Sequence, residues 1–164
     1  MTNQKHRFRD KFVVILDNIR SAQNVGSIFR TSDASGVDRL YLCGITPAPY
    51  PQRGVDRVSK ISLGAEKNVD WEYHDQTWRL IEKLKKDGYK IIALEISDDA
   101  IDYQNFSPEF PVALILGNEV KGLSKKILSR VDATLSLPMH GSKESLNVSV
   151  AFGIAAYKIN ESRN

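Results

Sequence analysis

The sequence predicts an α/β domain with a mostly parallel sheet and helices on both faces. Predicted strands alternate with predicted helices along the chain, which is typical of this class. The predicted strands at 12–16 and 112–116 are apolar at every position, as expected for strands that are covered on both sides. The chain has 164 residues, enough for one substantial core. We therefore expect a single domain over 1–164, with residues 1–11 as a basic tail.

Cap and stop residues bound several of the predicted elements. Asn24, at the end of a polar segment, is a good N-cap residue for the first helix, and Gly36 is a good stop for it. Ser124 is a similar cap for a later helix. The predicted strands are 12–16, 39–43, 71–73, 89–96, 112–116 and 134–137, and the predicted helices are 24–36, 76–87, 124–130 and 145–160.

Segment 46–67 is expected to be a loop, because Pro47, Pro49 and Pro51 open it. It also carries four cations. These side chains fit either a surface that faces phosphate groups or a solvated loop. The four cations are Arg53, Arg57, Lys60 and Lys67.

Composition and motifs argue against several classes of protein. Hydrophobic residues make up 41% of the chain, and no apolar run approaches the roughly 18 residues that cross a bilayer. The single cysteine, Cys43, predicts a buried small hydrophobe in a reducing cytoplasm and excludes an internal disulfide. The three histidines are too scattered to predict a metal site. The net charge of +3 permits an anionic partner.

Three polar loops are expected at the carboxyl edge of the sheet, where ligands bind in open α/β folds. They are 24–30, 117–122 and 137–147, and the last one leads directly into a helix of small residues. Neither GxGxxG after the first strand nor GxxxxGK[ST] is present, which argues against dinucleotide and P-loop sites. A nucleoside cofactor would then be held by turns, and S-adenosylmethionine, which has no phosphates, suits such a site.

Taken singly, each polar residue of these loops also has a purely structural explanation. Asn24 can serve only as a cap, and Arg30 can pair with Asp33 one turn along the helix. Glu119 can be a solvated loop charge, and Asn147 can be a satisfied polar group in a first helical turn. The meeting of three polar loops at one sheet edge is what favours a ligand site.

The last predicted helix, 145–160, is apolar on nearly all sides. Such a helix is buried over most of its surface. Gly153 within it costs about 1 kcal/mol relative to alanine, so we expect another backbone to approach closely there. An interface with a second copy of the chain explains both features, whereas burial inside one domain explains the first.

Three ordered segments identify a family resemblance. Asn24–Thr31, Ile115–Leu123, and Leu137–Met139 together with Ser145–Ala151 resemble the three SpoU motifs. Ser62–Glu66 also resembles a recurring segment of the same proteins. The chain is therefore identified as similar to the TrmH-like branch of the SPOUT RNA methyltransferases, over residues 12 to about 159.

The resemblance implies a fold, an assembly and a cofactor. The fold is the SPOUT or α/β-knot domain, whose C-terminal part forms a deep trefoil knot; the assembly is a homodimer, and the cofactor is S-adenosylmethionine. By the same resemblance, the reaction centre is Asn24, Arg30, Glu119, Ser145 and Asn147. The residues expected to contact the cofactor are Leu94, Glu95, Gly117, Asn118, Gly122, Leu137, Met139, Ser145 and Leu146.

The reaction implied is methyl transfer to a ribose 2′-hydroxyl of RNA. Because the sulfonium methyl is already electrophilic, the protein mainly positions the hydroxyl and helps to remove its proton. The resemblance implies Arg30 as the base. A free guanidinium keeps its proton above about pH 12, so binding a phosphate beside the ribose is the alternative role. Asn24 is expected to orient Arg30, and Ser145 and Asn147 to hold the cofactor loop or the substrate.

For the RNA target we favour tRNA over rRNA. We expect no recognition domain before the first strand, unlike several rRNA-modifying relatives, and no longer terminal helices like those of tRNA guanosine-18 enzymes. We favour a frayed, solvated tail for residues 1–11 over an RNA-contacting arm. The expected partners are RNA and a second copy of the chain, without a membrane or a metal.

Two rival functions remain. Methylation of a base would need a general base such as an aspartate near it, and Asn24 with Arg30 favours ribose instead. A non-catalytic RNA-binding module with the same fold would be expected to have lost Asn24, Arg30 or Asn147, and all three are present.

Overall fold

The structure, a computed structural model, describes residues 8–50 and 56–163. Its seven strands form one sheet in the order β3-β2-β1-β6-β4-β7-β5, with every neighbouring pair parallel. The strands are β1 (Phe12–Asp17), β2 (Arg39–Cys43), β3 (Asp70–His74), β4 (Lys90–Leu94), β5 (Ile101–Asp102), β6 (Val112–Leu116) and β7 (Ala133–Ser136).

Helices cover the sheet and connect its strands. Short 3₁₀ turns occur at Phe8–Asp10, Ala65–Lys67 and Tyr103–Asn105. Within the described ranges, no helix is both long enough and apolar enough to span a membrane. The helices are α1 (Ala22–Ser35), α2 (Arg57–Ser62), α3 (Thr77–Lys86), α4 (Lys125–Leu128) and α5 (Val148–Glu161).

Side chains of the central strands alternate between two buried cores, one on each face of the sheet. On β1, Val14 belongs to the core beneath α1 and α5, whereas Val13 and Ile15 belong to the core beneath α3 and α4. Because each face is covered, every position of β1 and β6 is buried. The predicted parallel α/β fold is confirmed, and the trefoil knot stays a prediction.

The first helix begins earlier than predicted, so the assignment of Asn24 as its cap is wrong. Ser21 is the cap: its backbone is extended, and its hydroxyl accepts a hydrogen bond from the Asn24 N–H at 3.2 Å. A serine hydroxyl is a short acceptor that fits this geometry well. Asn24 therefore lies in the first helical turn, and its side-chain amide is available for other contacts.

The segment expected to be a loop, 46–67, contains helix α2, so that expectation is wrong. Asp56 caps α2 by accepting a hydrogen bond from Ser59 N at 2.9 Å, and Val58 is buried. A Cβ added to Gly26 of α1 would lie 2.6 Å from Ile61 Cβ, so the two helices pack in close contact there. Arg53, one of the four cations, lies outside the described residues.

The last helix starts at Val148 and not at Ser145 as predicted. Asn147 is its cap, accepting a hydrogen bond from Ser149 N at 2.9 Å. Residues 145–147 are therefore in extended or irregular backbone. Other differences are small: the fourth and sixth predicted strands and α4 are within a few residues of expectation, the fifth predicted strand matches at both ends, and the two-residue strand β5 was not predicted.

The two ends of the described chain meet at the amino edge of the sheet, where β1 and β2 begin. The 3₁₀ turn at Phe8–Asp10 shows that the basic tail is ordered from Phe8, whose ring meets Tyr89 edge-on at 5.8 Å; residues 1–7 of that tail lie outside the described part. Cys43 is fully buried, as predicted, and burial raises the pKa of its thiol to about 12.

Arg163 fastens the end of α5 to this edge, and we expect its loss to be costly. Its side chain is only 3% exposed, forms an ion pair with Asp38, and donates to Asp10 O at 2.8 Å. Among the described residues, replacing Arg163 by methionine leaves Asp38 with only Lys11, at 3.3 Å, as an ion-pair partner. The free energy of unfolding should fall by about 2–4 kcal/mol in denaturant titrations.

The matched control is Arg57→Met, because Arg57 is exposed and no ion pair of Arg57 occurs among the described residues. A loss for Arg163→Met that is no larger than the control's, about 0.5 kcal/mol, would contradict the role of Arg163.

Candidate functional site

A cavity of about 510 Å³ opens at the carboxyl edge of the sheet. It lies beyond the ends of β4, β6 and β7 and reaches the first turn of α5. This is the edge at which open α/β sheets bind ligands. The cavity is lined by Asn24, Leu94, Glu95, Ile96, Leu116, Gly117, Asn118, Glu119, Val120, Gly122, Ser136, Leu137, Met139, Ser145, Leu146, Asn147, Val148 and Ala151.

All nine residues expected to contact the cofactor line this cavity. Four of the five residues expected at the reaction centre line it too: Asn24, Glu119, Ser145 and Asn147. Arg30 is the exception, because it lies further along α1, exposed to solvent. Of the three segments predicted as polar loops at one sheet edge, 117–122 and 137–147 do line one space together. The prediction of 24–30 as a loop is wrong, because it lies within α1 and only Asn24, in the first helical turn, lines the cavity.

Glu119 joins the loop 117–122 to the start of α1. Its carboxylate accepts hydrogen bonds from Arg20 N at 3.0 Å, from Ser21 N at 3.1 Å and from Asn24 Nδ2 at 3.1 Å. Asn24 Oδ1 then accepts a hydrogen bond from Asn147 Nδ2, also at 3.1 Å. Glu119, Asn24 and Asn147 therefore form a hydrogen-bonded row along the cavity rim, and we name these three residues the rim triad.

The same contacts decide the ionisation of Glu119. Partial burial alone would raise the pKa of its carboxyl, but the hydrogen bonds from Arg20, Asn24 and Ser21 outweigh that effect and lower the pKa below the ordinary value of 4.5. Glu119 is therefore a bound carboxylate at neutral pH, and the interpretation of a solvated loop charge is wrong.

This geometry predicts a pH-dependent contribution of Glu119 to stability. Because the folded-state pKa is lowered, the contribution is present above about pH 4.5 and is lost as the pH falls through the folded-state pKa. In denaturant titrations, the Glu119→Gln variant should be less stable than wild type near neutral pH, and the difference should shrink in acid. Glu144→Gln is the control, because Glu144 is exposed. A difference that grows in acid would contradict the assignment.

Two further polar side chains hold the second loop in place. Asn118 Nδ2 donates to Asn18 O at 2.9 Å, and Asn118 Oδ1 accepts from Val120 N and Lys121 N. Glu95 Oε2 accepts from Leu123 N at 3.0 Å. Asn118 and Glu95 therefore shape the cavity wall with their side chains, in addition to the cofactor contact predicted for them.

The glycines of this loop are required by close packing and by backbone conformation. A Cβ on Gly117 would lie 2.8 Å from both the Gly122 carbonyl carbon and Leu123 N. Gly122 has φ of +64°, and a Cβ there would lie 2.5 Å from Glu95 Oε2. The two ends of the loop thus touch each other, and no side chain fits between them.

The backbone of the third loop, 137–147, is largely without hydrogen-bond partners among the described residues. Within the described residues, residues 138–146 make no backbone hydrogen bond to the rest of the chain. Unpaired N–H and C=O groups bind either water or a ligand. Met139, Ser145 and Leu146 belong to this segment and line the cavity, as do Leu94 and Leu137.

Arg30 has no ion-pair partner within 4.0 Å among residues 8–50 and 56–163. The alternative of a pair with Asp33 is therefore not observed. Asp33 instead accepts a hydrogen bond from Asn68 Nδ2 at 3.2 Å. The Arg30 guanidinium, exposed on α1, is free to bind an anion.

Sequence reasoning missed several residues of the site. Ser21 caps α1, and Ser149 Oγ donates to Asn147 Oδ1 at 2.6 Å, which fixes the amide of Asn147 so that its Nδ2 points to Asn24. Serines close to predicted helix starts are the signal that could have found both. Ile96 and Val120 also line the cavity, and the sequence carried no sign of that.

The sequence model of the SpoU rRNA Methylase family matches residues 11–157. A putative TrmH family tRNA/rRNA methyltransferase of Staphylococcus haemolyticus is 34% identical over 162 residues, which are 99% of this chain and 63% of that protein. The chain thus spans less than two thirds of the length of that relative.

Solved structures are similar over nearly the whole chain. The SpoU methyltransferase AviRb of Streptomyces viridochromogenes, in complex with the cofactor AdoMet, matches 96% of this chain and 62% of its own, with a TM-score of 0.84 and 25% identity. A second solved structure, which concerns the 2-OH methylation of C/U34 on tRNA, matches 94% of this chain and 97% of its own, with a TM-score of 0.76 and 28% identity. With the family match covering 11–157, this chain belongs to the SpoU rRNA Methylase family.

Proposed function

We propose that the chain is an S-adenosylmethionine-dependent RNA methyltransferase that methylates a ribose 2′-hydroxyl. The observation that carries the proposal is the rim triad, which joins the first turn of α1 to two loops around a cavity of about 510 Å³. Family membership and similarity to an AdoMet-bound methyltransferase support the activity and the cofactor.

The cavity fits S-adenosylmethionine in size and in chemistry. Its volume is within the range of about 300–1,000 Å³ that is typical of small-molecule sites. The apolar side chains of Leu94, Leu137 and Leu146 suit an adenosine moiety, and the unpaired backbone of residues 138–146 suits its polar edge. The described lining contains no arginine or lysine that a phosphate would require, in keeping with a cofactor without phosphates.

When bound, the cofactor supplies an electrophilic methyl group. The residues of the chain have the task of orienting the ribose, and as its 2′ oxygen takes the methyl group the hydroxyl proton passes to solvent water. Glu119 and Asn147 fix the amide of Asn24 from both sides, so that Asn24 is held rigidly at the rim where a ribose would enter. Arg30 is proposed to bind a phosphate next to that ribose, because its guanidinium is exposed and without an ion-pair partner among the described residues.

We favour tRNA as the substrate and keep rRNA as the alternative. A similar structure, 28% identical, concerns 2-OH methylation of C/U34 on tRNA. A 2-OH methylation in that protein supports 2′-O-methylation over base methylation for this chain. Because bacterial tRNA and rRNA are cytoplasmic, we place the enzyme in the cytoplasm.

We also propose that two copies associate through α5. Phe152, Ala155 and Ala156 pack into the core, whereas Val150 and Tyr157 are 52% and 53% exposed on the other side of the helix. Among the described residues, a Cβ on Gly153 would meet only Thr31 Cγ2, at 3.6 Å, so packing within this part of the chain does not require the glycine. A second backbone near Gly153 would explain it.

The dimer is tested by Val150→Glu. A buried, unpaired carboxylate in the interface should convert the dimer to a monomer in sedimentation equilibrium, because burying a charge without a partner is strongly unfavourable. The control is Lys86→Glu on α3, an exposed residue on the opposite face of the sheet. A wild-type protein that sediments as a monomer would contradict the proposal.

The activity is tested by incubation with methyl-labelled S-adenosylmethionine and either unfractionated tRNA or rRNA, followed by nuclease digestion and nucleoside mapping. Label in a 2′-O-methylnucleoside is the expected result, and the phosphodiester bond on its 3′ side in the intact RNA should resist alkaline cleavage. Label on a base would favour base methylation. No label in either RNA, with RNA still bound, would favour a non-catalytic RNA-binding module.

A further inference from the structure

The cavity of about 510 Å³, in which we place S-adenosylmethionine, is called the cofactor cavity below. A second cavity, of about 670 Å³, lies on the opposite side of the loop 118–122. Asn118, Val120 and Gly122 line both spaces, so only one loop separates them. The outer walls of the second cavity come from the loops that follow β1 and β2 and from the starts of α3 and α4. We name it the flanking pocket.

The flanking pocket is rich in cations. Arg20, Lys121 and Lys126 line it, all three are exposed, and none has an ion-pair partner within 4.0 Å among the described residues. Two carboxylates also line it. Asp17 is buried and accepts a hydrogen bond from Thr77 Oγ1 at 2.5 Å, which leaves Asp75 as the exposed one.

An aromatic side chain of the pocket, Trp78, positions one of these cations, Lys126, and also attracts two arginines that do not line the pocket. Lys126 Nζ lies 4.3 Å from the ring centroid of Trp78, and the guanidinium carbons of Arg79 and Arg130 lie 5.2 and 5.6 Å from the same centroid. Trp78 is itself fixed, because its Nε1 donates to Gln76 Oε1 at 2.6 Å. Cation–π attraction therefore holds positive charge at the mouth of the pocket.

We propose that the flanking pocket binds phosphate groups of the RNA strand next to the methylated nucleotide. Its cations have no ion-pair partners among the described residues, and a single loop separates it from the cofactor cavity. This inference rests on the proposed function, since that function supplies the RNA. Unpaired lysine and arginine side chains are the usual contacts of nucleic-acid phosphates. Such contacts would fix the strand without reading its bases, and so would hold the target ribose over the rim triad.

The test compares two double variants of equal charge change. Lys121→Gln with Lys126→Gln removes two cations of the pocket, and Lys83→Gln with Lys86→Gln removes two exposed cations of α3 that do not line it. Binding of unfractionated bacterial tRNA is measured across a salt series. The pocket variant should bind tRNA about 10-fold more weakly, and the slope of log K against log salt should fall by about 2.

Kinetic measurements separate a binding role from a structural one. In the pocket variant, KM for tRNA should rise while kcat at saturating tRNA and the Kd for S-adenosylmethionine stay at wild-type values. A loss of kcat or of cofactor binding would mean that the loop 118–122 had been disturbed, and it would overturn the inference. Equal tRNA affinities for the two double variants would overturn it as well.

Two outcomes distinguish this inference from the proposed function. If wild type transfers methyl groups to RNA and the pocket variant behaves like its control, only the flanking pocket is misassigned. If wild type binds no RNA, both assignments fail. Calorimetry with inorganic phosphate is the second arm: binding that the pocket variant loses, with unchanged tRNA affinity, would assign the pocket to a free phosphate and not to RNA.

Discussion

Replacing Arg30 by alanine is expected to abolish methyl transfer to RNA and to leave cofactor binding intact. Arg30 is exposed on α1 and does not line the cofactor cavity, so its loss removes no contact from that cavity. If it fixes the phosphate beside the target ribose, the reacting hydroxyl loses its orientation. We expect a fall of about 10²–10⁴-fold in kcat/KM.

Two variants define the role of Arg30. Gln23→Ala, an exposed change on the same helix, should retain activity and controls for the integrity of α1. Arg30→Lys keeps a positive charge but not the planar fork, and it should recover part of the activity if the role is phosphate binding. Calorimetry in which Arg30→Ala no longer binds S-adenosylmethionine would contradict the assignment.

Replacing Gly117 by alanine is expected to disrupt the cofactor cavity. The added Cβ would lie 2.8 Å from the Gly122 carbonyl carbon and from Leu123 N, and both are backbone atoms that cannot rotate away. The loop must open, which strains the hydrogen bond from Leu123 N to Glu95. We expect a loss of about 1–3 kcal/mol in the free energy of unfolding and about 10²-fold weaker binding of S-adenosylmethionine.

The matched control is Gly141→Ala in the neighbouring loop. A Cβ there meets no atom within 4 Å of the described chain, so stability and binding should stay near wild type. Calorimetry gives the binding constants, and denaturant titration gives the stabilities. If Gly117→Ala bound S-adenosylmethionine with wild-type affinity, the prediction would be wrong, because the loop would have opened for the added Cβ without disturbing the cavity.

The sheet could be predicted from local patterns. β1 and β6 are apolar runs without alternation, and only a strand that is covered on both faces has that composition. The start of α1 was harder, because Ser21 and Asn24 are both good cap residues. Helix α2 was missed since its support lies elsewhere: the close packing of Ile61 against Gly26 stabilises six residues that are too few to form a helix alone.

The candidate site divides in the same way. The sequence by itself determined which loops are polar and that all follow strands of one sheet, so it could gather Asn24, Glu119 and Asn147 at one edge. Only the tertiary structure decided how these three side chains pair. Asn24 and Glu119 are separated by 95 positions in the sequence, and Asn24 and Asn147 by 123, so their hydrogen bonds depend on where the fold places each backbone segment. The flanking pocket was decided entirely by the tertiary structure. Trp78 and Lys126 come from different helices, and only the packing of α3 beside α4 brings them together.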